Sequence, residues 1–358
     1  MSGKINLVWP LTVYPLAGYS DHGLVDLAVW QPAAGPAYVR ALQERATPAI
    51  DATYLLEAGT QDTAEVMAII EWVRRGRDVW IADPVARAYE DLYLGAGDGV
   101  TATFTVPVLA AGYSGLTVYV DGIPTTPTIA EPANLYDDDE ALADWTGGKL
   151  AMNANAVGSS SPAYAYLPGQ GATTLVDATA ASARLYARDH FASGSGSPTV
   201  PAGIGTQPFA GAALLKPTQA GDLILGMYWY DASPALVGGA ETTITSPTVG
   251  EWIQLTAAGA GSATAVRIKM NAGRTASATA DFAAALFALG YGDRIDWWLP
   301  SRAPLTVVLP SVPAAGAAVT ARVTGQRLYQ VVAAREPDVR VDAAGNRTVR
   351  ISWQGVRP

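Results

Sequence analysis

Apolar and polar residues alternate with a period of two along most of this chain, and one stretch repeats with a helical period instead. Val66, Ile69, Ile70 and Val73 stand at i, i+3, i+4 and i+7, which makes a single apolar stripe. Asp62 can cap such a helix, and Glu65 lies three residues later to close the capping box. Arg74 and Arg75 complement the negative end of the helix dipole, and Gly76 suits a left-handed exit. The spacing therefore predicts one helix over about 62–75, laid across a sheet. A strand over Asp78 to Ala82 follows and stops at Asp83-Pro84.

Elsewhere the pattern predicts strands and turns. Leu92 to Leu94 runs into Gly97-Asp98-Gly99, a hairpin signal, and then into alternating Thr101 to Val106. Leu116 to Val120 ends at Asp121-Gly122, before Ile123-Pro124. Residues 124–134 contain three prolines and read as a linker or a crossing strand. From Asn134 the texture shifts to Ala, Gly, Ser and Thr. Short strands are expected there at Ala163 to Leu167, Ala183 to Ala187, Leu223 to Tyr230, Glu251 to Thr256 and Thr264 to Lys269, spaced by turns as in an antiparallel sandwich. Near Asp293 the texture changes again. Trp297 to Pro300, Leu305 to Leu309, Ala318 to Thr324 and Leu328 to Ala333 read as strands, and Val339 to Val341 with Thr348 to Trp353 as a last hairpin. The fold class is mainly β: an antiparallel β-sandwich base domain with one helix, plus an inserted sandwich.

Composition adds an expectation about company. Only 15% of the 358 residues are charged while 49% are hydrophobic, against a usual charged share of about 25%. A solitary chain would leave apolar surface in water, so self-association is expected. The net charge of −9 argues against nucleic-acid binding by phosphate neutralisation. No apolar run approaches the roughly 20 residues that span a bilayer, so no membrane insertion is expected. Without cysteine there are no disulfides, thiolate zinc sites or cysteine nucleophiles. The opening MSGKINLVWP does not read as a secretory signal, and synthesis in a cytoplasm is expected. Residues 293–358 hold nine arginines and no lysine. These suit bidentate pairing with carboxylates of a neighbouring surface, or are solvated strand residues.

The inventory for catalysis is thin. His22 and His190 are the only histidines, and no G-x-S-x-G, H-E-x-x-H or Walker pattern occurs. No catalytic residue is expected, although Asp222, Asp231, Glu241 and Glu251 could supply a glycosidase's carboxyl pair. The densest carboxylate run, Asp137, Asp138, Asp139 and Glu140, could hold a structural Ca²⁺ or form a solvated acidic loop. In Gly226-Met227-Tyr228-Trp229-Tyr230, alternation puts Met227 and Trp229 on one face and both tyrosines on the other. With the first pair inward, Tyr228 and Tyr230 become candidate glycan contacts, or plain sheet cover. Trp252, next to Ile253 and Leu255, is expected in the core.

Two resemblances add expectations that the residue patterns do not supply. Leu92-Tyr93-Leu94 through Gly97-Asp98-Gly99, Phe104-Thr105-Val106 and Val118 to Gly122 resembles a hairpin of tailed-bacteriophage virion proteins. The helix followed by a strand at Asp83-Pro84 is similar to the ring-forming domain of phage distal tail proteins. The stretch from Pro310 through Tyr329 to Trp353 looks like the end of tail-tip proteins. The middle block is similar to jelly-roll carbohydrate-binding modules, on Asn134-Leu135, Trp145, Leu223 to Tyr230, Glu251 to Leu255 and Ala265 to Met270. Together they imply residues 1–133 and 293–358 as a discontinuous tail-ring base domain with 134–292 inserted. The implied partners are copies of the chain in a trimeric or hexameric ring, tail tube and hub proteins, and a host cell-surface glycan. The implied location is the virion tail. A tail tube protein with a decorating domain, or a carbohydrate-active accessory protein or hydrolase, are the alternatives.

Overall fold

The structure is a computed structural model, and it describes residues 4–24, 27–30, 38–41, 47–130, 133–147, 150–167, 170, 173–187, 206–275 and 279–356. Of the described residues 52% are strand and 9% helical, and the sheets are antiparallel, so the chain is a mainly β protein. It divides into two compact units, Met1–Asn6 with Arg87–Gly325, and Leu7–Ala86 with Gln326–Pro358. The boundaries expected at 133/134 and 292/293 both lie inside the first of these. Among the described residues no helix is long and apolar enough to cross a membrane.

The chain opens in the second unit with β1 (Pro15–Leu24), β2 (Leu27–Trp30), β3 (Tyr38–Ala41), β4 (Thr47–Leu56), α1 (Gln61–Arg74) and β5 (Val79–Ala82). The predicted helix is present, and its apolar stripe Val66, Ile69, Ile70 and Val73 is buried. Its cap is Thr60, whose hydroxyl accepts from the Thr63 backbone N–H at 3.2 Å. Asp62 instead sits in the first turn, where its charge favours the positive helix end. The correction follows from the preceding residues. The Thr60 and Thr63 hydroxyls both donate to the Glu57 carbonyl, which fixes the entry two residues earlier. Gly76 takes the left-handed exit at φ 72°.

The described residues of the first unit form seventeen strands. They are β6 (Arg87–Ala96), β7 (Thr103–Leu109), β8 (Ser114–Val120), β9 (Ile123–Thr125) and β10 (Thr128–Ala130), then β11 (Leu150–Met152), β12 (Ala156–Ser161), β13 (Thr173–Ala178), β14 (Arg184–Ala187) and β15 (Pro208–Pro217). β16 (Leu223–Tyr230), β17 (Leu236–Ile244), β18 (Ile253–Ala260), β19 (Arg267–Arg274), β20 (Phe282–Tyr291), β21 (Pro304–Val308) and β22 (Ala318–Gly325) complete it, with the short α2 (Asp138–Ala141) before β11. The hairpin expected at Gly97-Asp98-Gly99 is not one. β6 pairs with β22 in the sheet β6-β22-β8-β9, whereas β7 pairs with β21 in β10-β21-β7, so this turn is a corner between two sheets. Asp98 pins the corner by accepting from the N–H groups of Val100 and Thr101 and from the Thr101 hydroxyl. Those bonds hold its carboxyl down near pKa about 2. Gly97 cannot carry a side chain, since a Cβ would lie 2.3 Å from the Ala314 carbonyl. The hairpin geometry appears instead at Asp121-Gly122, both at positive φ, joining β8 to β9.

The larger part of this unit is a sandwich of two five-stranded sheets, β11-β14-β19-β16-β17 and β12-β13-β20-β15-β18. Between them lie Leu185, Met227, Trp229, Ile268 and Met270 from one sheet and Phe209, Leu215, Leu255, Phe282 and Phe287 from the other. Burial of each such large apolar side chain is worth about 1.5–3 kcal/mol. Gly211 lets the layers meet: a Cβ there would stand 2.6 and 2.7 Å from the sulfurs of Met270 and Met227. Ala163 to Leu167, expected as a strand, is a single 3-10 turn, Pro162–Tyr164, and loop. Proline at its start cannot donate to a ladder. Trp297 to Pro300 likewise contributes one bridge, Trp297 to Ile5, before a 3-10 turn.

The chain then returns to the second unit with β23 (Leu328–Ala333), β24 (Asp338–Val341) and β25 (Arg347–Gly355). The sheet order is β1-β4-β25-β23-β5, with β24 on β25. Two of the last three elements in sequence, β23 and β25, are thus inner strands of this sheet. Val349, Ile351 and Trp353 of β25 are buried, and Trp9 packs 4.6 Å from Tyr54 and edge-on to Trp353 at 5.7 Å.

Candidate functional site

Burial decides which face of the sandwich is open. All ten residues of β20 are buried, because its sheet is covered on the outside by chain from the same unit. Gln170 donates to the carbonyls of Leu142 and Ala285, and Trp297 Nε1 donates to that of Ala141. Asn134, fully buried, donates to Phe287 and Trp298 carbonyls and accepts from the N–H groups of Tyr136 and Leu289. The other sheet's outer side carries half-exposed polar and aromatic residues instead.

On β16 the inward set is Leu223, Leu225, Met227 and Trp229, each with no exposed surface. Tyr228 and Tyr230 point outward, as alternation predicts. Register then assembles their neighbours. Lys269 of β19 lies opposite Tyr228, and Arg267 opposite Tyr230. Asn271 and Glu241 flank Gly226 from either side, and Tyr186 of β14 lies beyond Asn271. A Cβ at Gly226 would meet the Tyr228 hydroxyl at 2.6 Å, and one at Gly239 would meet its Cδ1 at 3.3 Å. The Tyr228 ring therefore lies down across two glycines instead of standing off the sheet.

Its polar end is held. The Tyr228 hydroxyl donates to the Glu241 carboxylate and is hydrogen-bonded to the Asn271 amide, and Asn271 accepts from Arg184 Nη1 at 3.3 Å. Burial, then the bond and charge of Glu241, push the Tyr228 phenol up to about 12. Burial likewise raises Tyr186 and Tyr230. The Lys269 ammonium sits 5.5 Å from the centre of the Tyr230 ring. The result is an outer face with aromatic rings backed by fixed hydrogen-bonding groups. Flat aromatic surface packs against the apolar C–H faces of sugar rings, and the amide, carboxylate and guanidinium can bond hydroxyls.

The sequence singled out Tyr228 and Tyr230, and it named Glu241 as a carboxyl without a partner. Arg184, Tyr186, Asn271 and Lys269 were not foreseen in this role. Strands were expected at Ala183 to Ala187 and Thr264 to Lys269, but nothing local shows that they flank β16, and Asn271 lies past the expected end of the second. Trp252 is a correction: it is half-buried at the start of β18, edge-on to Tyr166 at 5.6 Å with Lys216 Nζ 5.8 Å from its ring. It precedes the first paired residue of β18, so the strand's inward alternation does not hold it. His22 lies on β1, and His190 is outside the described residues.

The other carboxyl candidates do not gather. Asp222 and Asp231 flank opposite ends of β16, about 30 Å apart at about 3.3 Å per residue. Glu241 is level with Gly226, more than about 10 Å from each by the same rise, beyond the spacing of a glycosidase pair. Asp231 accepts from Ser233 and Ala235 in its own turn, Asp222 from the Ser246 N–H, and Glu251 lies exposed in the turn before β18. The acidic run forms α2. Asp137 accepts from the Glu140 N–H and Glu140 from that of Asp137, a capping box, while Asp138 accepts from the Ser301 N–H at 2.8 Å. Asp139 lies in the same short helix. Among the described residues no group of three His, Asp or Glu side chains is arranged to hold a metal ion.

No family model matches this chain, and no curated protein matches it. Solved structures do show partial likeness. The carbohydrate-binding and catalytic modules of Clostridium thermocellum endo-1,4-beta-D-xylanase 10B, complexed with xylohexaose, match at 13% identity and TM-score 0.32, over 46% of this chain and 28% of that one. The C-terminal family 22 carbohydrate-binding module of the same xylanase matches at 13% identity and TM-score 0.33, over 46% of this chain and 99% of the module. The enzymatically active domain of bacteriophage CBA120 tailspike protein 4 matches at 8% identity and TM-score 0.34, over 45% of this chain and 22% of that one.

Proposed function

We propose that this chain is a structural adhesion protein that holds a glycan on the outer face of the sheet β11-β14-β19-β16-β17. The observation that carries this reading is the Tyr228 ring laid across Gly226 and Gly239, with Glu241 and Asn271 fixing its hydroxyl. A ring held flat by the fold offers a stacking surface whose ordering cost is already met. The proposed role is adhesion without turnover. In support, Glu241 is the one carboxylate that the described strands set on this face.

The proposed setting is the virion tail of a tailed phage, with the chain as a distal tail or baseplate ring component. This rests on the sequence resemblance and on the low charged share. In such a ring, weak single-site affinity would be multiplied by repetition. A tube protein with a decorating domain differs in stoichiometry: many stacked rings per virion instead of one.

Calorimetric titration of the full chain with a panel of oligosaccharides tests the binding reading. Tyr228→Ala should weaken binding by up to about tenfold, from a stacking contact of about 0.5–1.5 kcal/mol, while the far-ultraviolet circular dichroism stays unchanged. Binding equal in the wild type and Tyr228→Ala would overturn the assigned face, and released product sugars would replace adhesion by hydrolysis.

A further inference from the structure

The charge on this face runs against the rest of the molecule. The chain as a whole carries a net −9. Yet the described strands of the open sheet place Arg184, Arg267 and Lys269 outward, with Glu241 as their one acidic counterpart. Glu241 is engaged by the Tyr228 hydroxyl. Asp231, in the turn beyond Tyr230, accepts from Ser233 and Ala235 in that turn. The basic groups are also spread along the platform instead of being gathered at one end. Arg184 reaches the Asn271 end, Lys269 lies beside both tyrosines, and Arg267 lies opposite Tyr230.

We infer that the ligand of this face is an acidic glycan, a chain of sugars bearing anionic substituents. This rests on the glycan-binding reading above and adds the ligand's charge to it. Neutral sugars need rings to stack on and hydrogen-bonding groups, which Tyr228, Tyr230 and Asn271 supply. They draw nothing from several cations on one face. Separate cations kept apart by the strand spacing suit a polymer whose charges recur from one sugar to the next. Arg184 presents a planar fork that matches carboxylate or sulfate oxygens, and Lys269 a point charge. The cations also supply long-range attraction for a ligand that the remaining acidic surface would repel.

The test uses the full chain and three oligosaccharides of equal length: a uronic-acid oligomer, a sulfated oligomer and an uncharged one. Affinities are measured by calorimetry at low and high salt. The inference expects at least one acidic oligomer to bind about tenfold more tightly than the neutral one at low salt, with the advantage shrinking as salt is raised. The paired substitution Lys269→Gln with Arg267→Gln should bring the ratio of acidic to neutral affinity close to one. Which acidic oligomer prevails identifies the substituent. Equal or better binding of the neutral oligomer, insensitive to the paired substitution, overturns the acidic-glycan inference while leaving the glycan-binding reading standing. Failure of all three to bind the wild type counts against both.

Discussion

Tyr228 shows how one side chain can serve the fold and a site together. Its hydroxyl is neutral and donating over the whole physiological range, because burial and Glu241 raise its pKa to about 12. A phenol whose folded pKa lies above the unfolded value of about 10 stabilises the fold fully below pH 10. That contribution is lost as pH climbs through about 12. Absorbance titration of tyrosinate should therefore show a late-ionising group that Tyr228→Phe removes and Glu241→Gln shifts downward. Buried polar residues make a second residue-scale prediction. Arg274, with no exposed surface, donates to the carbonyls of Gln219, Gly221, Ala280 and Asp281, tying the β15–β16 turn to the β19–β20 connection. Arg274→Met leaves those carbonyls without their donor and should lower stability in urea by about 3 kcal/mol or more. Neither Arg274 nor Asn134 stood out in the sequence for this task. The role of Asn134 depends on Phe287 and Trp298, more than 150 positions away, and that of Arg274 partly on Gln219 and Gly221, more than 50 positions back, which no local pattern reveals.

The elements best anticipated are those whose signal is local. β16 and β23 match the expected Leu223 to Tyr230 and Leu328 to Ala333, since alternation and turn residues bound them on both sides. No strand was expected at β20, because a strand buried on both faces loses its alternation. At Gly97-Asp98-Gly99 the turn chemistry was legible and its use was not. A glycine-aspartate turn can fold a strand back or send it to another sheet, and pairing with β22 decides. In α1 the cap moves from Asp62 to Thr60, so Thr60→Ala should cost about 1 kcal/mol in thermal unfolding, and Asp62→Ala only a few tenths. The reverse order would restore Asp62 as the cap. For α2, the capping box predicts that Asp137→Ala lowers stability by about 1 kcal/mol whether calcium is supplied or chelated.

At the scale of the molecule, the residue pattern made a mainly β protein legible. Texture changes at Asn134 and Asp293 mark shifts in composition. The contacts of the fold divide at 6/7, 86/87 and 325/326, where pairing partners change. A chain ending at Gly325 should keep the first unit and lose the second, since β25 and β23 stand between β4 and β5. Limited proteolysis with mass spectrometry of that fragment should cut within 7–86 and spare 87–325. Protection of both regions would refute the division.

That same placement of β23 and β25 sets an order of events during synthesis. On the ribosome, β4 emerges with its partner β25 still some 290 codons from translation. The whole first unit can condense meanwhile, its strands meeting neighbours made within the same stretch. The early edge strand must wait exposed, a target for other nascent chains or for chaperones, until the final residues leave the exit tunnel.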